Sequence, residues 1–156
     1  MRTRQTALLL GLAATALFIT VDGPAWAHGR DRHACSVARL DGLYVFAATG
    51  VVTSGPFAGP TAIVELIRFN GDGAVSVPGV TLSANGTIVP IPPGGTGTYT
   101  VTDVVPPDGA CTGTLTFDSP GAPTLALYFP LKADTIWMIQ TNEGSVLQGT
   151  ATKLAR

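Results

Sequence analysis

The strongest constraint on the fold is a regular alternation of short β-type runs with turn residues after residue 40. Eight runs rich in Val, Ile, Thr, Phe and Tyr are separated by Gly, Pro, Asn and Asp, and helix-period patterning is almost absent. The sequence therefore predicts an all-β domain with short connections. The predicted strands are Leu40–Thr53, Thr61–Phe69, Ala74–Ser83, Thr96–Val104, Ala110–Phe117, Thr124–Phe129, Thr135–Thr141 and Ser145–Lys153.

The turns between these runs carry residues suited to tight β-hairpins. Asn70-Gly71-Asp72-Gly73, Asn85-Gly86 and Asn142-Glu143-Gly144 tolerate the positive φ that such hairpins require. Two proline-containing stretches, 90–93 and 106–109, indicate longer and stiffer connections. Eight strands must hide their edges, either by closing into a barrel or by packing as a sandwich. The hairpin turns favour a single eight-stranded antiparallel up-and-down barrel, with a β-sandwich as the alternative, and such a barrel is filled by side chains or holds one small ligand.

A short motif that recurs in the predicted strands indicates one polar and one apolar face. Gly97-Thr98-Tyr99-Thr100-Val101 is echoed by Gly113-Thr114-Leu115-Thr116-Phe117 and, more weakly, by Gly149-Thr150-Ala151-Thr152. Since alternate residues of a strand point to opposite faces, the threonines share a polar face and the larger apolar side chains share the other. The glycines fall on the apolar face, where a strand bends or passes close to another backbone.

The first 27 residues have the three parts of a secretory signal peptide. A positively charged start precedes the apolar run Leu8–Val21, and Ala25-Trp26-Ala27 offers a cleavage site. A membrane anchor is the alternative, but the run is shorter than the ~20 residues that span a bilayer and is broken at once by Asp22-Gly23-Pro24. We expect residues 1–27 to be removed, 28–39 to form an N-terminal leader, and 40–156 to form the barrel. This predicts an exported protein, periplasmic or secreted, without a transmembrane anchor.

Two cysteines in a chain bound for an oxidising compartment predict a disulfide between Cys35 and Cys111. The bond would close a loop of about 76 residues, for which chain entropy gives a stabilisation on the order of 4 kcal/mol. It would fasten the leader to a strand in the second half of the chain. The alternative, a thiol nucleophile, needs a base nearby and an unpaired partner cysteine.

Charge excludes some functions and motifs exclude others. Nine Lys and Arg face ten Asp and Glu, giving a net charge of −1, and no basic stripe indicates nucleic-acid binding. The chain has no G-x-S-x-G elbow, phosphate-binding loop or calcium-loop spacing. The sequence thus predicts no cofactor and no nucleic-acid partner.

Three segments carry a resemblance to a broad group of small exported bacterial proteins, most of them of unknown function. They are Leu40-Asp41-Gly42-Leu43-Tyr44-Val45-Phe46, the Phe69-Asn70-Gly71-Asp72-Gly73 turn and the Gly97-Thr98-Tyr99-Thr100-Val101 strand. The layout also resembles the allene oxide cyclase-like and lipocalin-like barrels, whose members bind or cyclise small apolar molecules. This resemblance implies a barrel fold and a small apolar ligand, and it transfers no catalytic motif.

Glu65 is the first candidate for chemistry, because it interrupts the apolar run Ala62–Ile67. Facing a barrel interior, it would lose solvation and its pKa would rise, which suits proton transfer or contact with a polar ligand atom. Tyr44 is the tyrosine predicted to assist it. The alternative is that Glu65 points to solvent, with Ile63 and Ile67 on an incompletely covered outer face.

A second candidate group combines aromatic residues with polar tips, as many ligand pockets do. The predicted ligand contacts are Tyr99, Tyr128, Trp137 and Gln148. The same residues equally describe a plain core in which Tyr and Trp reach a polar partner at one end. Trp137 and Gln140 have opposite parity, so without a bulge only one of them can face the interior.

No metal site is predicted, apart from one remote possibility at the processed N-terminus. Cleavage after Ala27 would expose His28, whose amine and imidazole can chelate copper together, and His33 could complete a three-nitrogen site. That arrangement is superficially similar to copper-dependent polysaccharide monooxygenases and periplasmic copper carriers. The alternative is an exposed polar leader.

Three functions are compatible with these patterns. The leading one is an exported barrel that binds a small apolar or aromatic molecule in its interior or mouth. The second is a barrel cyclase or isomerase that uses Glu65 as an interior carboxylate. The third is a structural envelope-interaction protein without a ligand.

Overall fold

The fold is described from a computed structural model, which defines residues 35–105 and 109–154. The predicted signal peptide and the histidines His28 and His33 lie outside the described residues. A short 3-10 helix, Val37–Arg39, is followed by nine strands. They are β1 (Asp41–Val52), β2 (Gly59–Asn70), β3 (Ala74–Ala84), β4 (Thr87–Val89), β5 (Gly95–Val105), β6 (Ala110–Phe117), β7 (Thr124–Pro130), β8 (Thr135–Gln140) and β9 (Ser145–Lys153). Within the described ranges, no helix has the length and apolar character needed to cross a bilayer.

Eight of the strands close into an antiparallel up-and-down barrel. Pairing runs around the ring from β1 through β2, β3, β5, β6, β7, β8 and β9, and β9 pairs with β1 again. The predicted eight-stranded barrel is therefore confirmed, and the sandwich alternative is not adopted. Closure gives each strand of the ring a neighbour on both sides, which is how such a Thr- and Val-rich chain can satisfy most of its backbone groups.

One short strand was not expected from the sequence. β4 pairs only with the last three residues of β3, through a tight turn at Asn85 (φ 48°) and Gly86 (φ 80°). The sequence predicts the turn itself from the Asn-Gly pair, but it predicts no strand at Thr87–Val89. Because β4 takes up the end of β3, β5 pairs with β3 only at Ala74–Val77.

The recurring glycines mark places where neighbouring backbones approach closely. A methyl group added at Gly97, Gly113 or Gly149 would overlap a carbonyl oxygen of the adjacent strand. The alternating threonines face outward, and three Thr–Thr pairs lie opposite each other between β5 and β6. The glycines thus permit the strong curvature of a small barrel on its inner face.

One end of the barrel is closed by an aromatic cluster packed next to residues 35–40. The rings of Tyr44 and Tyr99 each meet Phe69 edge to face, with centroids 5.3 and 5.0 Å apart. The Tyr99 hydroxyl lies 2.8 Å from the carbonyl oxygen of Val37 and 2.9 Å from that of Leu40, so its single proton is shared between these two acceptors. These contacts hold residues 37–40 across the barrel end.

The predicted disulfide is confirmed and reinforces this closure. Cys35 in the leader is bonded to Cys111 on β6, with their Cα atoms 5.5 Å apart. Leu40, Phe129 and Ile136 are almost completely buried in the same core cluster as Cys111. This half of the barrel is a conventional core.

Candidate functional site: an open cavity at the other end of the barrel

The opposite end of the barrel is open and contains a cavity of about 610 Å³, here called the mouth cavity. It is formed where β1, β8 and β6 end and β2, β9 and β7 begin, below the loops 53–58, 118–123 and 141–144. The added strand β4 and the connection after it, through Ile91 and Pro92, form part of the wall. Loop-rich barrel mouths of this size are common ligand sites.

The wall of the mouth cavity is mainly apolar. Several of its side chains are only half-buried although they lie on the inward face of their strands, because no other side chain fills the space in front of them. Phe46 and Leu125 are almost completely buried at its inner part. The half-buried inward side chains are Ile63, Val80, Leu82, Val89 and Phe117.

Glu65 faces into the mouth cavity from β2. The strand places it opposite Phe46 on β1 and Val80 on β3, both apolar. The next inward residue of β2, Ile67, is completely buried in the core and does not line the cavity. Glu65 is therefore the deepest cavity residue of its strand, and its side chain is only 7% exposed. Of the two orientations that the sequence allowed for Glu65, the structure has the inward one.

The carboxyl group of Glu65 has an unusual environment. Burial raises its pKa from 4.5 to about 7, since the charged form loses solvation in an apolar wall. Among the described residues it has no hydrogen-bond or ion-pair partner. A carboxyl group with a pKa near neutrality can donate or accept a proton, and a charged or polar group entering the cavity would supply the partner that the protein does not.

The other polar side chains of the described lining lie in the loops and near the strand ends, and most of them are exposed. Gln140 faces inward from the end of β8, and Glu143 lies exposed at the rim. Glu65 and Glu143 are the titratable side chains of the described lining, which contains no Lys, Arg or His. The electrostatic character of the site is therefore negative or neutral.

Tyr44 and Tyr99 lie inside the barrel but not at the cavity. The Tyr44 hydroxyl donates to the carbonyl oxygen of Ala133 (2.7 Å) in the closed end. Burial, with smaller contributions from Asp134 and Asp41, raises the pKa of Tyr44 to about 12. Burial also raises the pKa of Tyr99. Neither tyrosine lines the mouth cavity, so Tyr44 is not brought together with Glu65 there.

Three other predicted ligand contacts lie on the outer surface, so the inward orientation expected for them was wrong. Tyr128 and Trp137 form a cross-strand pair and are 49% and 54% exposed. With Gln148 they line a shallow outer groove of about 340 Å³. The parity argument selected one of Trp137 and Gln140 for the interior, and the structure selects Gln140.

The cavity residues that the sequence did not indicate are mainly apolar side chains in the loops and near the strand ends. Phe57, Ile91 and Phe117 belong to this group. One signal was available for Gln140: Ile136 and Met138 are buried at the same parity on β8. Trp137 was preferred because it is large and aromatic, whereas half of its surface is in solvent.

No group of three or more His, Cys, Asp or Glu side chains within the described ranges is placed to hold a metal ion. No protein-family description matches the chain, and neither the curated proteins nor the solved structures yield a significant match.

Proposed function

We propose that the protein is an exported β-barrel that binds a small apolar or aromatic molecule in its mouth cavity. The observation that carries this proposal is a barrel only half filled by its own side chains. One end has a dense core, and the other leaves about 610 Å³ open to solvent behind an apolar wall. When a ligand covers apolar surface in a concave site, the complex is stabilised by about 25 cal/mol for each Å² removed from water.

Export is part of the same proposal. It rests on the tripartite signal pattern in residues 1–27, and the Cys35–Cys111 bond supports it because disulfides persist mainly in oxidising compartments. In an oxidising compartment the Cys35–Cys111 bond persists, and it keeps one end of the barrel closed while the cavity lies at the other end.

A pair of adjacent substitutions on β2 tests the binding site. Ile63 faces the mouth cavity, and Val64 next to it is 53% exposed on the outer surface. We expect Nile red, a neutral lipophilic fluorophore, to bind the processed protein saturably with one site per chain. Ile63→Trp should weaken this binding at least about tenfold because the indole occupies the cavity, and Val64→Trp should leave it unchanged. Absence of saturable binding, or an equal effect of the two variants, would refute the proposal.

A second candidate function is proton-transfer catalysis, such as a cyclisation or isomerisation. The pKa of Glu65, at about 7, favours it, because a general acid or base works best when its pKa is near the working pH. The described lining contains no tyrosine, so polar assistance to Glu65 would have to come from another lining side chain, such as Gln140. Turnover of a bound substrate that is lost in Glu65→Gln, with binding retained, would distinguish an enzyme from a carrier.

A further inference from the structure

The mouth cavity has an electrostatic asymmetry that restricts its ligand. Its described wall carries two carboxyl groups, Glu65 deep inside and Glu143 at the rim, and no cationic side chain. An anionic amphiphile such as a fatty acid would bring a third negative charge into this space without any partner. The wall therefore disfavours anionic ligands and favours neutral or cationic ones.

The position of Glu65 also gives the cavity a direction. The carboxyl group lies at the deepest level that β2 contributes, and residues nearer the rim on the same strand, Ile63 and Thr61, carry no charge. Buried charges in proteins are normally paired or hydrogen-bonded, but Glu65 has no partner among the described residues. The group best suited to supply one is a hydrogen-bond donor that carries positive charge.

We propose that the ligand of the mouth cavity is an apolar molecule bearing a basic nitrogen, which enters first and pairs with the Glu65 carboxylate while the apolar body covers the wall toward the rim. This rests on the proposed binding function and specifies the ligand class. The ammonium group pairs with the Glu65 carboxylate, which the described residues leave open to the cavity, and the apolar body contacts Ile63, Leu82 and Phe117.

The pairing makes binding depend on pH in a defined direction. The groups facing Glu65 from the adjacent strands are Phe46 on β1 and Val80 on β3, and neither titrates. Glu143 at the rim is the other titratable group of the described lining. Because the pKa of Glu65 is about 7, acidification to pH 5 protonates the carboxyl group and removes its attraction for an ammonium ion. An amine ligand is then held more weakly at pH 5 than at pH 8.

Three matched fluorescent probes test this proposal: 1-pyrenemethylamine, 1-pyrenemethanol and 1-pyrenecarboxylic acid, which share one apolar body. At pH 8 we expect the amine to bind the processed protein at least about tenfold more tightly than the alcohol, and the acid to bind most weakly. Glu65→Gln should abolish the difference between amine and alcohol while the alcohol still binds. Asp134→Asn, which removes an exposed carboxylate at the closed end outside the cavity lining, should preserve the difference.

The wild-type protein gives a second measurement that needs no variant. Between pH 8 and pH 5 the preference for the amine over the alcohol should fall, with the affinity for the alcohol unchanged. An alcohol that binds as tightly as the amine at pH 8, or a preference that survives in Glu65→Gln, would overturn the proposed ligand class and leave the binding function standing. Failure of all three probes to bind would instead overturn the binding function itself.

Discussion

Replacing Glu65 by glutamine should change how the stability of the protein depends on pH. Glutamine has nearly the same shape as the protonated glutamic acid and never ionises, so the difference between the two proteins isolates the ionisation of one carboxyl group. The buried carboxyl group has a pKa of about 7 in the folded protein and 4.5 as its ordinary value. Between these values the folded chain retains a proton that the unfolded chain has released.

The sign and size of the effect follow from this difference. Stability from the neutral carboxyl group is fully present below pH 4.5 and is lost as the pH rises through 7. A difference of one unit in pKa corresponds to about 1.4 kcal/mol. The difference between the ordinary pKa of 4.5 and the folded-state pKa of about 7 therefore corresponds to about 3 kcal/mol. Water in the open mouth cavity solvates part of the carboxylate, and we expect between about 1 and 3 kcal/mol. At pH 8 the glutamine variant should be more stable than the wild type by this amount, and at pH 4 the two should be nearly equal.

Urea denaturation of the disulfide-bonded protein from pH 4 to pH 8 measures the effect as a difference in unfolding free energy. Titrations of all other groups cancel when the two proteins are subtracted. The exposed rim residue supplies a control, since Glu143→Gln should give a curve parallel to that of the wild type. A difference between Glu65→Gln and wild type that stays constant over this range would show that the carboxyl group is well solvated, and the reasoning about its burial would be wrong.

Two further predictions concern the scaffold. Removing the disulfide with Cys35→Ser and Cys111→Ser together should lower the unfolding free energy by about 2–4 kcal/mol, measured by denaturation, and added reductant should then have no further effect. Gly149→Ala should destabilise the barrel by about 1–3 kcal/mol, because the new methyl group overlaps a carbonyl oxygen of β1. Thr150→Ala beside it should cost much less, and equal losses from the two substitutions would contradict the close-approach explanation.

The strand pattern was predictable because it depends on local sequence. Alternation of Thr with larger apolar residues set the two faces of β5 and β6, and both strands lie within a residue or so of their predicted ends. The Asn85-Gly86 turn was found for the same reason, since few other residues adopt positive φ cheaply. The disulfide was predictable from composition and compartment, because the chain has only two cysteines.

The depth of each residue along the barrel axis was not predictable from the same pattern. Alternation tells whether Tyr44 or Glu65 faces inward, but not that one belongs to the closed end and the other to the cavity. That distinction depends on how tilted strands are staggered around the whole ring, which involves pairings between distant parts of the chain. Which half of the interior is filled likewise depends on the summed volumes of side chains from eight strands and on β4.

Residues 35–40 close one end of the described barrel, so the mouth cavity has one opening. A ligand bound as proposed would leave through the opening by which it entered, and a competitor could not displace it from the closed end. For a ligand bound as proposed, exchange would be sequential, and the rate of dissociation would be independent of the competitor concentration. Stopped-flow displacement at rising competitor concentration would reveal this as a plateau set by unassisted escape.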